Sequence, residues 1–405
     1  MQHFVVVGGG QAGASLVAKL RSEGFDGKIT LICAEPVHPY QRPPLSKAYL
    51  LGEMGLDRLM LRSEDWYTDN NIDVMLQTRV VELRPEEKTI ILQGEVEMKY
   101  DELALCTGSY PRVLPGEIGG ELDSLYTVRD LADVDLMAPE FEGGRNLLVI
   151  GGGYIGLEAA AVAAKKGLNV TVIEMAPRIL QRVACEQTSD YFRDLHTANG
   201  VKIIEGVGLD RLTGTDRVTG AILTDGTELD VNFAIAGVGI LPNTILADAS
   251  GIACSNGIDT DLHGATSMPG VWAAGDCANL TYEGQRLRIE SVGNAIDQAE
   301  VVAKNMLGQN VPYTPKPWFW SDQYDTKLQI AGLNLGYDEV HVKTFSDAPD
   351  SRVHWYFKGG KLIACDAMNA AKDYMVAKRL IEAGKSVEPA ILCDENTNMK
   401  ALLRA

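Results

Sequence analysis

The chain lacks the features that mark a membrane-spanning or disulfide-stabilised protein. None of its apolar runs approaches the roughly 18 residues that a membrane helix requires. Its seven cysteines are an odd number and none forms a Cys-x-x-Cys pair, which argues against a zinc ribbon and a thioredoxin-type motif. The first apolar run begins so close to Met1 that no signal peptide fits before it. We therefore expect a cytoplasmic protein without a metal site, in which most cysteines are buried apolar residues.

Positive charge is also scarce. The 37 lysines and arginines face 55 acidic residues, which gives a net charge of −18. From Lys316 onward basic and acidic residues are equal in number, so the excess of negative charge lies earlier in the chain. An acidic surface repels nucleic acid. We expect neither nucleic acid nor a membrane as a partner, and we expect any basic patch for an acidic protein partner in the C-terminal region.

The chain does contain two copies of a nucleotide-binding fingerprint. Gly8-Gly9-Gly10-Gln11-Ala12-Gly13 follows the apolar run 4–7, and Gly151-Gly152-Gly153-Tyr154-Ile155-Gly156 follows the apolar run 147–150. In each copy a helical segment and a second strand come next, with the strand predicted at 28–33 in the first copy and at 169–174 in the second. An acidic residue lies at or just after the end of that strand, Glu35 in the first copy and Glu174 in the second. Two such modules in one chain predict two bound nucleotides and electron transfer between them.

Each glycine of the fingerprint has its own physical task. In the first copy Gly8 makes the tight turn, Gly10 lets the backbone approach a pyrophosphate, and Gly13 lets helix and strand pack closely. The helix N-terminus offers free N–H groups and the positive end of its dipole to the phosphates. Glu35 is placed to accept a ribose hydroxyl. The corresponding residues of the second copy are Gly151, Gly153, Gly156 and Glu174.

The acidic residue of the second copy also bears on which nucleotide binds there. A carboxylate at Glu174 favours the free 2′-hydroxyl of NAD and repels the 2′-phosphate of NADP. Arg178 and Arg182 follow shortly after, and they weaken that inference because a guanidinium can accommodate the phosphate.

The pattern of elements predicts an α/β protein with two Rossmann-like, doubly wound, three-layer domains and an α+β C-terminal interface domain. The first strands are continuously apolar, as expected for a parallel sheet that is covered on both faces. We predict a discontinuous first nucleotide-binding domain at 1–112 and 244–320, a second at 113–243, and the C-terminal domain at 321–405. Helices are predicted at 47–51, 295–307 and 373–384, and C-terminal strands at 327–331, 340–344, 353–357 and 362–365.

Several residues outside the glycine loops have two interpretations when they are taken alone. Glu158 lies in the first turn of a helix, where a carboxylate is favourable cap chemistry without any further role. Lys47, taken alone, is a surface lysine at the start of a helix. Trp318 and Trp320 point the same way if they lie on a strand, so they form one apolar face of it.

Five segments make the chain similar to a known family. They are Arg42-Pro43-Pro44-Leu45-Ser46-Lys47, Gly151–Glu158, Gly270–Asp276, Arg288-Ile289-Glu290-Ser291-Val292 and Trp318-Phe319-Trp320-Ser321-Asp322-Gln323. With them the whole chain resembles the flavoprotein ferredoxin reductases that serve bacterial oxygenases, the putidaredoxin reductase-like group. The resemblance implies FAD on the first module, NAD on the second, and a C-terminal domain that closes over the flavin.

The resemblance also implies roles for individual residues. Lys47 pairs with Glu158 beside flavin N5, Glu158 contacts the nicotinamide carboxamide, and Trp320 borders the flavin; these three are the implied catalytic residues. Asp276 binds the ribityl chain. The implied FAD-binding residues are Gly8, Gly10, Ala12, Gly13, Glu35, Arg42, Lys47, Thr107, Gly108, Asp276, Val292 and Trp320. The implied NAD-binding residues are Gly151, Gly153, Tyr154, Ile155, Gly156, Glu158, Glu174 and Gly239.

The function that follows is that of a ferredoxin–NAD(+) reductase, which passes electrons from NADH via FAD to a 2Fe–2S ferredoxin serving a monooxygenase or ring-hydroxylating dioxygenase. Related disulfide reductases carry redox-active cysteines after the first β-α-β unit, but the stretch 43–51 contains no cysteine. Electrons are therefore expected to leave directly for an external protein. The alternatives are a rubredoxin or quinone-type reductase and an NADH-sensing flavoprotein like apoptosis-inducing factor. The protein is expected to be a monomer or a weak homodimer.

Overall fold

The computed structural model describes residues 1–282 and 284–404. These residues form two compact units, each assembled from separate stretches of chain. The first unit contains Met1–Arg42, Gly55–Tyr110 and Ile240–Pro317, and the second contains Pro43–Met54, Pro111–Gly239 and Trp318–Ala405. No helix within the described ranges is long and apolar enough to cross a membrane.

The strands of the described residues are numbered in chain order. They are β1 (His3–Val7), β2 (Lys28–Ile32), β3 (Ile72–Met75), β4 (Val80–Arg84), β5 (Thr89–Leu92), β6 (Val96–Lys99), β7 (Glu102–Leu105), β8 (Ser109–Pro111), β9 (Leu125–Tyr126), β10 (Asn146–Ile150), β11 (Asn169–Glu174), β12 (Lys202–Glu205), β13 (Leu209–Thr213), β14 (Gly220–Leu223), β15 (Glu228–Asp230), β16 (Phe233–Ala236), β17 (Ile240–Pro242), β18 (Ile258–Asp259), β19 (Val271–Ala273), β20 (Ala278–Tyr282), β21 (Gln285–Leu287), β22 (Trp318–Gln323), β23 (Thr326–Gly332), β24 (Glu339–Thr344), β25 (Arg352–Lys358) and β26 (Lys361–Met368).

The helices are numbered in the same way. They are α1 (Gln11–Ser22), α2 (Ala48–Leu51), α3 (Leu56–Leu59), α4 (Glu64–Asp69), α5 (Leu131–Met137), α6 (Tyr154–Lys165), α7 (Glu186–Ala198), α8 (Ile245–Ala249), α9 (Val292–Met306), α10 (Ala371–Glu382) and α11 (Pro389–Cys393). Short 3₁₀ turns lie at Pro43–Ser46, Gly116–Ile118, Ala138–Glu140 and Met399–Leu403.

The first unit is built on a five-stranded parallel sheet of order β19-β7-β1-β2-β3. Because side chains alternate along a strand, Phe4 and Val6 of β1 enter one apolar cluster with helices α1 and α9. Val5 and Val7 enter a second cluster that includes residues of the antiparallel sheet β4-β5-β6. The sheet therefore has an apolar cluster on each face, as its continuously apolar strands predict.

The second unit contains a second five-stranded parallel sheet and a separate antiparallel one. The parallel sheet has the order β12-β11-β10-β16-β9, and β13, β14 and β15 form a small antiparallel sheet. Strands β22-β23-β26-β25-β24 form the five-stranded antiparallel sheet, whose core is shared with α10. This arrangement confirms the predicted α/β fold class with an α+β C-terminal part. The three-domain division stays a prediction, and its boundary at residue 321 falls within β22.

Three predicted helices have other bounds in the structure. Helix α10 covers Ala371–Glu382 rather than 373–384. The other two differ for local physical reasons. Helix α9 begins at Val292 rather than at 295, because the hydroxyl of Ser291 accepts a hydrogen bond from the backbone N–H of Asn294 and so caps the helix. The predicted helix 47–51 is a 3₁₀ turn, Pro43–Ser46, followed by α2. Lys47 lies between them with φ −136°, outside helical geometry.

Candidate functional site

The first glycine loop leaves open space at one glycine and has no room at the other two. Gly8 has φ 122°, and a Cβ there would lie 2.1 Å from the carbonyl oxygen of Cys106. A Cβ on Gly13 would lie 2.0 Å from the carbonyl oxygen of Gly8. A Cβ on Gly10, by contrast, would meet nothing within 4 Å, and Gly10 immediately precedes α1. This cradle at a helix N-terminus fits a pyrophosphate.

The second glycine loop repeats this geometry. Gly151 has φ 107°, and its Cβ would lie 2.5 Å from the carbonyl oxygen of Gly237. A Cβ on Gly156 would lie 2.4 Å from the carbonyl oxygen of Gly151. Gly153, which precedes α6, again faces open space, since its Cβ would meet nothing within 4 Å. The residues of this loop therefore also fit a nucleotide pyrophosphate.

In the first unit Glu35 and Arg42 lie together. The Tyr40 hydroxyl donates to Glu35 Oε2 at 2.6 Å, and the Arg42 guanidinium is ion-paired with Glu35 Oε1. The same guanidinium lies over the Tyr40 ring, 5.1 Å from its centroid. Glu35 is thus held near the start of the loop that follows β2, and its role as a ribose acceptor stays a prediction.

The other residues implied for FAD in this unit lie on the segments that follow β7 and β19. The Thr107 hydroxyl donates to the carbonyl of Asn243 at 2.6 Å, and Gly108 has φ 65°. The Ser109 hydroxyl donates to Asp276 Oδ2 at 3.0 Å, so the ends of the two strands meet. A Cβ on Gly275 would lie 3.0 Å from the Cβ of Ala12. The Asp276 segment therefore lies close to α1, which itself packs with α9, the helix that begins at Val292.

In the second unit Glu174 anchors the glycine loop. Its Oε2 accepts from the backbone N–H of Gly152 and its Oε1 from that of Ala176, both at 2.8 Å. A carboxylate oxygen can accept more than one hydrogen bond, so this tether leaves Glu174 able to bind a ribose. Arg178 is engaged elsewhere, because its guanidinium donates to the carbonyls of Ala184 and Cys185 and to a serine hydroxyl. Its use for a 2′-phosphate is correspondingly disfavoured.

Gly239, the last residue implied for NAD, lies at the end of the segment after β16. It has φ 103°, a left-handed conformation that favours glycine. Its carbonyl accepts from the backbone N–H of Arg112 at 2.9 Å, and a Cβ on it would lie 3.8 Å from the side chains of Arg112 and Arg182.

The second unit also forms a buried carboxylate site at Glu158. This side chain of α6 is 3% exposed. Its Oε2 accepts from Lys47 Nζ at 2.6 Å and from the Ser46 hydroxyl at 2.5 Å, and its Oε1 accepts from the Ser321 hydroxyl at 2.6 Å. The pair implied by the resemblance is therefore formed. Lys47 is only 16% exposed, which makes it a paired, largely buried cation rather than a surface lysine.

Trp320 lies on β22 and directly precedes Ser321, which donates to Glu158. Its ring stacks on that of Trp318, with centroids 5.5 Å apart and an interplanar angle of 21°, as expected for two residues on one face of a strand. On the opposite face, Phe319 contacts the ring of Tyr154 at the start of α6, with centroids 5.1 Å apart. The catalytic roles of Lys47, Glu158 and Trp320 stay predictions.

Two serines that hold Glu158 were not predicted from the sequence as site residues. Ser46 and Ser321 were quoted only as letters of the motifs 42–47 and 318–323. Both are buried, and a buried serine needs a hydrogen-bond partner, but the sequence alone does not show which serines are buried.

A second buried polar cluster involves Cys185, which the sequence analysis took for an apolar residue. Donor atoms of Cys185, His354 and Asp366 lie within 4.8 Å of one another. The Thr188 hydroxyl donates to Asp366 Oδ2 at 2.7 Å and lies 2.7 Å from His354 Nδ1. Burial lowers the pKa of His354 to about 4 and raises that of Asp366 to about 6. The Tyr356 hydroxyl also donates to Asp366.

Asp366 is expected to make stability depend on pH. Its pKa is raised from 3.8 to about 6, so the folded protein binds this proton more tightly than the unfolded chain does. Stability is therefore lost as pH rises from about 4 to about 6, by about 3 kcal/mol. We expect Asp366→Asn to remove this dependence, because an amide oxygen still accepts from Thr188 and Tyr356 but does not ionise. The measurement is the denaturation temperature of the holoprotein between pH 4.5 and 7.5, with exposed Asp347→Asn as control. A difference between wild type and Asp366→Asn that does not change with pH contradicts the expectation.

Comparison with known proteins gives consistent matches along the chain. The family model described as pyridine nucleotide-disulphide oxidoreductase matches residues 2–299, and the model described as reductase C-terminal matches residues 318–403. The chain is 41% identical over 415 residues to the ferredoxin reductase subunit of 5,5′-dehydrodivanillate O-demethylase from Sphingobium sp., covering 100% of each chain. It is 37% identical over 410 residues to putidaredoxin reductase of Pseudomonas putida, covering 100% of this chain and 97% of that protein.

A solved structure matches equally well. The crystal structure of the covalent complex of putidaredoxin reductase with putidaredoxin gives a TM-score of 0.95 at 37% identity, covering 100% of this chain and 99% of the reductase chain.

Proposed function

We propose, from the premise that this chain belongs to the pyridine nucleotide-disulphide oxidoreductase family, that it passes electrons from NADH via FAD to a 2Fe–2S ferredoxin. It is a ferredoxin reductase whose cofactors are FAD and a pyridine nucleotide. FAD, when bound, supplies hydride acceptance from the nicotinamide and electron release to the protein partner. The observation that carries the proposal is the pair of glycine loops, each with open space at its middle glycine and a helix N-terminus behind it.

The chain's own residues bind and orient. We propose that Gly10 and the N-terminus of α1 hold the FAD pyrophosphate and that Glu35 and Asp276 hold its ribose and ribityl hydroxyls. Gly153, Tyr154 and the N-terminus of α6 take the corresponding part of NADH. The remaining proposed FAD contacts are Gly8, Ala12, Gly13, Arg42, Thr107, Gly108 and Val292, and the remaining proposed NAD contacts are Gly151, Ile155, Gly156, Glu174 and Gly239.

The ion pair of Glu158 and Lys47 is proposed to orient the nicotinamide. A carboxylate with three donors around it has one fixed orientation, and it still has one lone pair, on Oε1, for the amide N–H of a nicotinamide. Trp320 is proposed to limit the space on the adjoining face. Such positioning, rather than acid–base chemistry, is what the protein has to supply when a cofactor carries the reaction.

The acceptor is proposed to be an external ferredoxin that serves a monooxygenase or a ring-hydroxylating dioxygenase. The stretch 43–51 contains no cysteine, so no thiol relay follows the first β-α-β unit. The named relatives are reductase components of this kind, such as the ferredoxin reductase of an anthranilate 1,2-dioxygenase system from Burkholderia cepacia.

Three further properties also stay predictions. They are the division into domains at 1–112 with 244–320, 113–243 and 321–405, the state of a monomer or weak homodimer, and the cytoplasmic location.

The test is stopped-flow reduction of the purified protein by NADH and by NADPH, followed by mixing with separate electron acceptors. We expect rapid loss of flavin absorbance with NADH and subsequent reduction of a 2Fe–2S ferredoxin. Fast passage only to rubredoxin or a quinone would overturn the proposed acceptor. A slow reaction that ends in a long-lived complex with the nucleotide would instead indicate an NADH-sensing flavoprotein.

An acidic ferredoxin is expected to need a local basic contact, because the reductase itself is acidic. The candidates for this contact are Arg288, Lys316 and Lys327. Arg288 is 9% exposed and paired with Glu290, which removes it as a surface contact. Lys316 and Lys327 are exposed. We expect Lys316→Glu and Lys327→Glu, made separately, to slow ferredoxin reduction severalfold at low salt and to weaken its salt dependence. Lys202→Glu is the control, and rates equal to the control's at every salt concentration would contradict the patch.

A further inference from the structure

Strand β22 presents two different faces, because side chains alternate along it. Trp318 and Trp320 lie on one face. Ser321 and Gln323 lie on the other face with Phe319, and both are fully buried at 0% exposure. A serine and a glutamine buried in this way need hydrogen-bond partners.

These two residues belong to a continuous line of hydrogen bonds that ends on Glu158. The Tyr324 hydroxyl lies 3.2 Å from His196 Nδ1, and His196 Nε2 lies 2.8 Å from Gln323 Oε1. Gln323 Nε2 donates to the Ser321 hydroxyl at 3.1 Å, and this hydroxyl donates to Glu158 Oε1 at 2.6 Å. His196 lies on α7 and is 0% exposed.

The chemistry of each group fixes the direction of every bond in the line. The Glu158 carboxylate only accepts, so Ser321 donates to it and accepts from the Gln323 amide N–H. The amide oxygen of Gln323 only accepts, so His196 carries its proton on Nε2. The bare Nδ1 of His196 must then accept from the Tyr324 hydroxyl. Burial lowers the pKa of His196 to about 4, so at neutral pH the ring is neutral, with one donor and one acceptor as this line requires.

All four donors therefore point toward the same carboxylate. Successive hydrogen bonds of one direction polarise and strengthen one another in a buried environment. We infer that Ser321, Gln323, His196 and Tyr324 are positioning residues for Glu158, which hold its Oε1 in one orientation toward the nicotinamide carboxamide. This inference rests on the proposed function, in which Glu158 contacts the nicotinamide of NADH.

The far end of the line lies in a tight turn. Tyr324 is the first residue of the two-residue turn between β22 and β23, and its φ of 54° is the left-handed conformation that such hairpin turns take at this position. Here the ring of Tyr324 packs edge-on against that of His196, with centroids 5.1 Å apart, and its hydroxyl bonds to Nδ1.

The experiment compares single-turnover reduction of FAD by NADH in the holoenzyme variants Ser321→Ala and Tyr324→Phe. Ser321→Ala removes the bond to the carboxylate, and the rate constant is expected to fall about tenfold. Tyr324→Phe removes only the hydroxyl at the far end, and a fall of about twofold to threefold is expected. Tyr191→Phe is the matched control, because this buried tyrosine on α7 donates to the carbonyl of Asp350 and is not in the line. Its rate should equal that of wild type.

A second nucleotide separates positioning from a general loss of structure. The reduced 3-acetylpyridine analogue of NADH has no amide N–H that could donate a hydrogen bond to Glu158. Its rates should therefore be nearly the same in wild type, Ser321→Ala and Tyr324→Phe. Equal losses with both nucleotides would overturn the inference, as would wild-type rates of both variants with NADH. Ferredoxin reduction by wild type is measured separately. If the rate constants of FAD reduction follow the expected order but no ferredoxin is reduced, the proposed acceptor is overturned and the inference is still supported.

Discussion

Replacing Gly10 by alanine is expected to weaken FAD binding by about tenfold to 100-fold and to leave the chain folded. The added Cβ would meet no protein atom within 4 Å, and the backbone of Gly10, with φ −89° and ψ −168°, is extended and open to any residue. The methyl group would instead occupy the space through which the backbone approaches a pyrophosphate. Losing backbone hydrogen bonds to a charged group of this kind accounts for the magnitude.

The second glycine loop supplies the matched variant. Gly153 has φ −82° and ψ 174°, and its Cβ would also meet nothing within 4 Å. We therefore expect Gly153→Ala to fold and retain FAD, while its KM for NADH rises about tenfold or more. The measurements are the dissociation constant of FAD and the KM for NADH of both variants. The opposite pattern, with FAD lost from Gly153→Ala and KM raised in Gly10→Ala, would exchange the two nucleotides between the loops.

A third glycine controls for damage to the fold. Gly13→Ala places a Cβ 2.0 Å from the carbonyl oxygen of Gly8, so helix α1 and strand β1 have to separate. It is expected to lower the yield and thermal stability of the apoprotein, whereas Gly10→Ala does not. A stable Gly13→Ala protein with normal FAD affinity would show that the loop is far more adaptable than its close contacts indicate.

The sequence was sufficient to predict those parts of the fold that depend on short-range pattern. Continuous apolar strands, a glycine loop and a helix recur within about thirty residues, a length over which periodicity and turn chemistry determine the structure. Strand β11 was predicted at its observed bounds, Asn169–Glu174. The start of α9 was predicted too late because the capping serine, Ser291, was not used, although it is a recognised N-terminal signal.

The candidate site could be predicted only in part, because its contacts join distant segments. Glu158 accepts from residues 46 and 47 and from residue 321, and no pattern within either segment shows that they meet. The resemblance supplied the pair with Lys47, but the hydrogen-bond line through Gln323 and His196 became visible only when α7 and β22 were placed together. The buried polar surroundings of Cys185 were missed for the same reason, since His354 and Asp366 lie more than 150 residues further along the chain.

Glu158→Gln is expected to lower the rate constant of FAD reduction by NADH about 100-fold, because a misplaced orienting group has an effect of that size even without direct chemistry. The amide keeps the shape of the carboxylate but has only one acceptor oxygen for the three donors Lys47, Ser46 and Ser321. Its NH₂ group must then face a donor, which turns the side chain away from its native orientation. FAD affinity is expected to change much less than the rate constant. Stopped-flow absorbance at the flavin band measures the rate constant, and titration of the apoprotein with FAD measures the affinity.

Stability has to be separated from positioning, because Glu158→Gln also leaves the largely buried Lys47 without its ion pair. Breaking such a pair costs about 3 kcal/mol, whereas removing both partners costs less. The double variant Lys47→Met/Glu158→Gln is therefore expected to regain thermal stability but not the rate of FAD reduction. Glu140→Gln is the matched control, since Glu140 is another buried carboxylate, paired with Arg145 and Arg217. It should lose stability and keep its rate of FAD reduction. If the double variant recovered the rate together with the stability, the effect of Glu158 on the reaction would be one of folding alone. That result would contradict its proposed role in orienting the nicotinamide.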